Sequence, residues 1–148
     1  MTLNAYGTPR DTISPDSRCS VCGMFVVKYD VWITQIIHQD DSLNCFDGVK
    51  DMMAYYFNPE KYGAIKKDDI KEIWVKDYYS LKWLNGREVF YVTGSDVNGP
   101  MGPEFIPFGN KAAAEAFLKD HHGDHIFTFD QITQMEVNAI RTGSKMKD

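Results

Sequence analysis

The sequence predicts an α+β fold of two similar small ββα(β)-type lobes packed together. Each lobe has an antiparallel sheet and one helix, and a C-terminal helix follows. Strand-like and helical patterns alternate in the order β-β-α-β and then β-β-β-α-β before that last helix. No stretch of flexible-linker composition separates the halves, so the lobes should pack closely. Of the 148 residues, 43% are hydrophobic and 14% aromatic, which is enough for a packed interior.

The first predicted lobe covers residues 19–79, after an extended segment at residues 1–18 that is rich in Thr, Ser, Pro, Asp and Gly. Runs of β-branched and aromatic residues predict its strands, and apolar residues three and four positions apart predict its helix. Asn58 and Pro59 should end that helix. The predicted elements are strands at 24–29 and 31–38 with a turn at 28–30, a helix at 46–57, a charged loop at 66–69 and a strand at 70–77.

The second predicted lobe covers residues 80–142, with a tail at 143–148. Asn85-Gly86 lies between two β-rich runs, which is a hairpin pattern. Asn110 is a suitable N-cap for a helix, and Gly123 is a suitable residue to end it in the left-handed conformation. The predicted elements are β-rich runs at 81–84, 88–94 and 104–108, a helix at 111–121, a strand at 124–129 and a helix at 131–141.

Charge and hydropathy exclude two classes of partner. Sixteen Lys and Arg against twenty-one Asp and Glu give a net charge of −5, and no basic block occurs, so nucleic acid is not an expected partner. No run of about 18 apolar residues could span a membrane. The first six residues lack the basic start and apolar core of a signal peptide, which fits a cytosolic protein or the trimmed form of an exported one.

The most informative segment is Cys19-Ser20-Val21-Cys22-Gly23-Met24, which places three sulfur atoms within six residues. Residues two apart in an extended chain point to the same side, so Cys22 and Met24 can offer a thiolate and a thioether to one centre. Gly23 between them permits a close approach. This soft donor pair favours Cu(I) over hard cations.

The CxxC motif also has other interpretations. Cys19 and Cys22 could form a disulfide in an oxidising compartment, which would leave Cys45 unpaired. A thioredoxin-like redox motif should open a helix, whereas a β-rich run follows here. A structural zinc site needs four ligands, and the sequence contains no second CxxC.

Further candidate residues lie outside this motif. Met101 lies in a rigid loop, Gly99-Pro100-Met101-Gly102-Pro103, as a weak thioether ligand or as a plug of the core beneath the turn. Cys45 is predicted at the start of the first helix, either as a reactive thiol or as a small buried hydrophobe. Asp47 suits an N-cap or a first-turn acid. His38, at a strand end, is predicted at the surface or at a sheet edge.

The CxxCGM segment resembles that of NosL-type proteins, which are accessory factors of nitrous oxide reductase. Further matching segments follow in the family's order and extend the resemblance over roughly residues 18–133. These segments are Phe46-Asp47-Gly48, Val75-Lys76-Asp77-Tyr78, Gly99-Pro100-Met101-Gly102, Ala116-Phe117 and Phe129-Asp130.

The resemblance implies a fold comparable to part of organomercury lyase, Cu(I) binding outside the cytoplasm and delivery of copper to nitrous oxide reductase during denitrification. The family's CGM segment carries copper ligands, which transfers to Cys22 and Met24. The PMG segment makes Met101 a third candidate ligand, and Cys19 completes the candidate set. Family members are lipoproteins, so we expect a periplasmic protein whose only membrane attachment is an N-terminal lipid anchor absent from this sequence.

A metal-delivery protein is therefore expected rather than an enzyme, and two alternatives make different predictions. A thiol-based enzyme related to organomercury lyase would need Cys22, Cys45 and Asp47 within a few ångströms of one another. A disulfide or redox module would have two oxidised thiols and one free thiol.

Overall fold

The computed structural model describes residues 7–10, 13–63 and 69–142. Seven strands and three α-helices make up the regular structure of this part of the chain. They are β1 (Thr34–His38), β2 (Leu43–Phe46), α1 (Val49–Phe57), β3 (Ile70–Lys76), β4 (Trp83–Asn85), β5 (Phe90–Thr93), β6 (Ile106–Phe108), α2 (Lys111–Asp120), β7 (His125–Thr128) and α3 (Gln134–Arg141). Short 3₁₀ helices lie at Val26–Trp32, Pro59–Tyr62 and Phe129–Gln131.

The strands form two antiparallel sheets, which confirms the predicted α+β class. The first sheet has the order β2-β1-β3-β4, and the second has the order β6-β5-β7. In the first sheet, Ile36 lies opposite Asn44 on β2 and Ile73 on β3. The helix α1 packs on β1 and β2, α2 packs on the second sheet, and α3 packs on α1. No helix within the described ranges has the length and apolar character to cross a membrane.

The two halves of the chain share their interior. The larger cluster of buried side chains takes Phe46 and Met52 from the first half and Tyr91 and Phe105 from the second. A smaller cluster around Phe117 lies between α2 and the second sheet. The division into similar lobes at residues 79 and 80 therefore stays a prediction.

Several sequence-based predictions for residues 24–49 are wrong. The predicted strand at 24–29 is replaced by the 3₁₀ helix Val26–Trp32, and β1 pairs with β2 and β3 instead. The structure also contains β2, which the sequence did not predict. Cys45 lies in that strand and not at a helix start, since its backbone pairs with Gln35. The helix consequently begins at Val49 instead of residue 46.

Two predicted turns also differ from the structure. The Asn85-Gly86 turn joins no hairpin, because β4 pairs with β3 in the first sheet while β5 lies in the second. The N–H of Gly86 donates to the carbonyl of Ile73 at 2.8 Å, which fixes the chain as it leaves β4. Beyond α2 it is His122, with φ 59°, and not Gly123 that adopts the left-handed conformation.

Other elements agree with the sequence-based predictions. The strand at 70–77 is β3, and the helix at 111–121 is α2, whose Asn110 side chain accepts a hydrogen bond from the N–H of Ala113 as an N-cap does. The predicted terminal helix is shorter and begins at Gln134. Most of the predicted loop at 66–69, parts of the segment at 1–18 and the tail at 143–148 lie outside the described residues.

Candidate metal centre

The CxxCGM segment forms a compact turn in front of the first sheet. The N–H of Cys19 donates to the carbonyl of Met24 at 2.7 Å, and the N–H of Gly23 donates to the carbonyl of Cys19 at 2.9 Å. Gly23 has φ 83°, a conformation that glycine adopts without strain. These bonds bring Cys19 and Cys22 to the same side of the turn, where the Cys22 N–H lies 3.4 Å from the Cys19 sulfur.

A backbone bridge holds this turn against β2. Cys19 pairs in parallel with Cys45, and the N–H of Ser20 donates to the carbonyl of Cys45 at 3.0 Å. Two residues after Cys45 the chain leaves the sheet through Asp47 and Gly48 and enters α1. The bridge therefore places the two thiols beside the start of α1.

Four potential ligand atoms meet at this point. The sulfurs of Cys19 and Cys22 and one carboxylate oxygen each of Asp47 and Asp51 all lie within 4.8 Å of one another. The Cys22 Sγ lies 3.1 Å from Asp47 Oδ2, and the Cys19 Sγ lies 3.4 Å from Asp51 Oδ2. Cys22 is half-buried and the other three residues are buried, so the group opens to solvent on the Cys22 side.

The surroundings keep the thiols protonated when no metal is bound. Burial raises the pKa of Cys19 to about 11, although backbone N–H groups of Cys22 and Val21 lower it in part. Burial also raises the pKa of Cys22 well above its usual value, and its hydrogen bond to Asp47 raises it further. For Asp47 burial raises the pKa, while the Cys22 thiol opposes that shift. A metal ion must therefore displace the thiol protons.

The two candidate methionines differ in their exposure and in their backbone contacts. Met24 is half-buried and closes the turn through its backbone carbonyl. Met101 is 45% exposed, so it is not the buried core plug that the sequence left open. The Lys50 Nζ donates to the carbonyl of Met101 at 2.8 Å, and this bond ties the Met101 loop to the first turn of α1.

The sequence identified two of the four residues in this group as candidate metal ligands. It named Cys19 and Cys22, which the structure brings together. It gave Asp47 as an N-cap or first-turn acid, and as the acid of the enzyme alternative. Asp51 was not identified. The available signal was that Asp47 lies just before the N-cap residue Gly48 and Asp51 lies in the first turn of α1, so both carboxylates are near the helix start.

The geometry bears on both alternatives to metal delivery. Cys45 is buried and stands outside the four-residue group, so the arrangement of Cys22, Cys45 and Asp47 needed for an organomercury-lyase-like reaction is not assembled among the described residues. No disulfide joins Cys19, Cys22 and Cys45 in this structure, and the disulfide or redox alternative stays a prediction. Two thiols with two carboxylates can hold a metal ion.

Comparison with known proteins gives consistent matches. Two relatives are described as copper-binding lipoprotein NosL. The protein from Achromobacter cycloclastes is 27% identical over 93% of this chain and 74% of its own length. The protein from Stutzerimonas stutzeri is 26% identical over 78% of this chain and 62% of its own length.

Solved structures match as well. The crystal structure of the copper chaperone NosL from Shewanella denitrificans has the same fold, with a TM-score of 0.69 at 24% identity over 86% of this chain and 99% of that chain. The solution structure of apo-NosL from Achromobacter cycloclastes gives a TM-score of 0.53 at 26% identity, over 78% of this chain and 94% of that chain. The sequence model of the NosL family matches residues 9–137, which is most of the chain. The protein therefore belongs to the NosL family.

Proposed function

We propose that this protein carries Cu(I) and delivers it to an extracytoplasmic copper enzyme, with nitrous oxide reductase as the expected acceptor. The observation that carries the proposal is the meeting of the Cys19 and Cys22 sulfurs with Asp47 and Asp51 within 4.8 Å. The relatives named as copper-binding lipoproteins and as a copper chaperone support copper as the cargo. Metal delivery, and not catalysis, is the activity that we assign.

The donor types favour Cu(I) within this group. Thiolates are soft ligands that prefer Cu(I), and a thioether from Met24 or Met101 adds a second soft donor of lower charge. When a thiol binds the ion, its S–H bond breaks, a Cu–S bond forms and one proton leaves. The Asp47 and Asp51 carboxylates accept hydrogen bonds from the two thiols, so they lie on the path by which those protons leave.

Release of the ion depends on access. Cys22 is half-buried and Met101 is exposed, so an acceptor can approach from the side of these two residues. A carrier with few ligands lets a ligand of the acceptor bind before its own ligands leave. Copper then passes through a shared intermediate without being free in solution.

The expected location follows from the same comparisons. Relatives described as lipoproteins are attached to a membrane through lipid, which agrees with a periplasmic protein. The net charge of −5 favours an acceptor with a basic docking face.

The test is anaerobic Cu(I) titration against a chromophoric chelator, with Cys22→Ser compared with Cys45→Ser. We expect the intact protein to bind one equivalent and Cys22→Ser to lose at least about 100-fold in affinity, since a thiolate ligand is removed. Cys45→Ser is the matched control, because that thiol is outside the group, and it should keep the affinity. Equal affinity of Cys22→Ser and the intact protein would contradict the proposal.

A second experiment tests the acceptor. Cu(I)-loaded protein is mixed with copper-free nitrous oxide reductase, and the copper content of each protein is measured after separation. Transfer to the reductase supports this acceptor, whereas retention of copper despite normal Cu(I) binding would reject it and leave the carrier function intact.

A further inference from the structure

A second polar cavity lies at the opposite end of β1 from the thiol group. Its volume is about 210 Å³, and it is lined by the end of β1, the start of β2, α1 and the residue before β3. The side chains that matter to its chemistry are His38, Asp40, Asn44, Tyr55, Tyr62 and Asp69. All of them offer nitrogen or oxygen, and two are acidic. The lining side chains include no lysine or arginine.

His38 is a buried residue of this cavity, on a strand that has β2 and β3 on its two sides, and not the surface or sheet-edge residue that the sequence predicted. Only 3% of it is exposed. Its Nε2 lies 2.8 Å from Asn44 Oδ1 and 2.9 Å from the Tyr55 hydroxyl oxygen. That hydroxyl donates to Asn44 Oδ1 at 3.1 Å. The Asn44 amide nitrogen donates to the Ser20 hydroxyl at 2.8 Å, so its oxygen is the atom that faces His38. With the Tyr55 hydroxyl hydrogen directed to Asn44, Nε2 faces two acceptor oxygens, so in the neutral ring Nε2 bears the hydrogen and Nδ1 carries a lone pair.

That lone pair has no hydrogen-bond partner among the residues that the structure describes. The nearest charged atom is Asp69 Oδ2, at 3.5 Å from Nδ1. This distance is longer than the roughly 2.7–2.9 Å of a charge-assisted hydrogen bond. It is close to the separation of about 3.3 Å expected for two ligands that bind one tetrahedral ion at about 2.0–2.1 Å each.

We propose that this cavity is a second metal site, in which His38 Nδ1 and Asp69 hold a divalent transition-metal cation and water completes the coordination. Imidazole nitrogen with carboxylate oxygen suits Zn²⁺, Ni²⁺ or Cu²⁺, whereas the thiol group suits a soft monovalent ion. Asn44 is a positioning residue here: it accepts the Nε2–H and so aims Nδ1 into the cavity, as partners of metal-binding histidines commonly do.

The probe is Zn²⁺, added to protein whose histidines carry ¹⁵N and whose thiol group is already filled with Cu(I). We expect one equivalent to shift the Nδ1 resonance of His38 while its Nε2–H is retained. The same titration is run on Cys19→Ser/Cys22→Ser without copper, checked for folding by its amide spectrum. Persistence of the shift there separates this site from the thiol group.

Variants complete the test through isothermal titration with Zn²⁺. His38→Gln should abolish the binding event, and Asn44→Ala should weaken it by about 10–100-fold. His125→Gln is the matched control, because His125 is exposed and distant in the chain, and it should keep the affinity. An unmoved His38 resonance, unchanged affinity in His38→Gln, or binding at the exposed histidines alone would overturn the proposal and leave His38 and Asp69 as a simple polar pair.

Discussion

An Asn or Asp side chain lies at the start of each of the helices α1 and α2, but it caps only α2. At α2, the Asn110 side chain accepts a hydrogen bond from Ala113 N–H at 2.8 Å and caps the helix. At α1, no side chain next to the helix start caps it, and the Asp47 carboxylate contacts the Cys22 thiol. The N–H of Lys50 instead donates to Glu104, which lies 54 residues away. At α1, therefore, the neighbouring acid Asp47 contacts a thiol, and the distant acid Glu104 stabilises the helix start.

The distant cap has consequences for the site. Glu104 is buried and also accepts the N–H of Phe105 at 3.0 Å, so it fixes its own loop segment to α1. It packs so closely against Gly48 that a Cβ at position 48 would clash with it. Together with the Lys50–Met101 bond, it joins the Met101 loop to the helix start that carries Asp47 and Asp51.

Glu104→Ala should give the largest loss of stability in this comparison. It removes a buried acceptor and leaves the N–H groups of Lys50 and Phe105 without partners, so we expect the free energy of unfolding to fall by about 2–4 kcal/mol. Urea denaturation followed by circular dichroism measures this. A loss below that of a simple cap deletion would contradict the role assigned to Glu104.

The stability should also depend on pH through the same residue. Burial raises the pKa of Glu104 to about 8, from 4.5. The folded state therefore keeps a proton that the unfolded chain releases, and stability should decrease as pH rises from about 4.5 to 8. Glu104→Gln does not titrate, so it should remove this component of the pH dependence. Parallel slopes for Glu104→Gln and the intact protein between pH 5 and 8 would argue against it.

Asn110→Ala tests the ordinary cap. Loss of one side-chain acceptor at an exposed helix start should lower the free energy of unfolding by about 1 kcal/mol and leave Cu(I) affinity unchanged. Denaturation and the chelator titration measure the two quantities. A change in Cu(I) affinity would show that the two halves of the molecule are coupled.

Asp47→Ala should have the smallest effect on stability, because its carboxylate contacts a thiol and does not cap α1. Cu(I) affinity should nevertheless fall, by about tenfold, because the removed carboxylate accepts the Cys22 hydrogen bond and belongs to the group. The same two measurements are used. A stability loss as large as that of Asn110→Ala, with unchanged Cu(I) affinity, would mean that Asp47 is a structural residue.

The parts of the fold that sequence patterns predicted are those stabilised by neighbours in the chain. The helix α2 was predicted with its cap because Asn110 and Ala113 are three residues apart. The strand β3 was predicted because its buried run is long and rich in β-forming residues. The strand β2 was not predicted, since it has only four residues and owes its conformation to pairing with β1.

The same distinction applies to the candidate site: residues close together in the sequence were predicted, and residues brought together only by the fold were not. Cys19 and Cys22 were found because they lie three positions apart in the chain, and the family resemblance rests on the same motif. Asp51 was not found, because it meets Cys19 from 32 residues away. His38 was misplaced at the surface, since its burial depends on Asn44 and Tyr55, which come from β2 and α1.

The sequence by itself determined the spacing of the two cysteines, the α+β class and the family, because these depend on residue types and short spacings. Only the tertiary structure decided that two carboxylates join the thiols, that a glutamate from the second half caps the first helix and that one histidine is buried with a free lone pair. The physical reason is that a side chain is buried by segments far apart in the chain. The local pattern of residues does not show which distant segments will pack together.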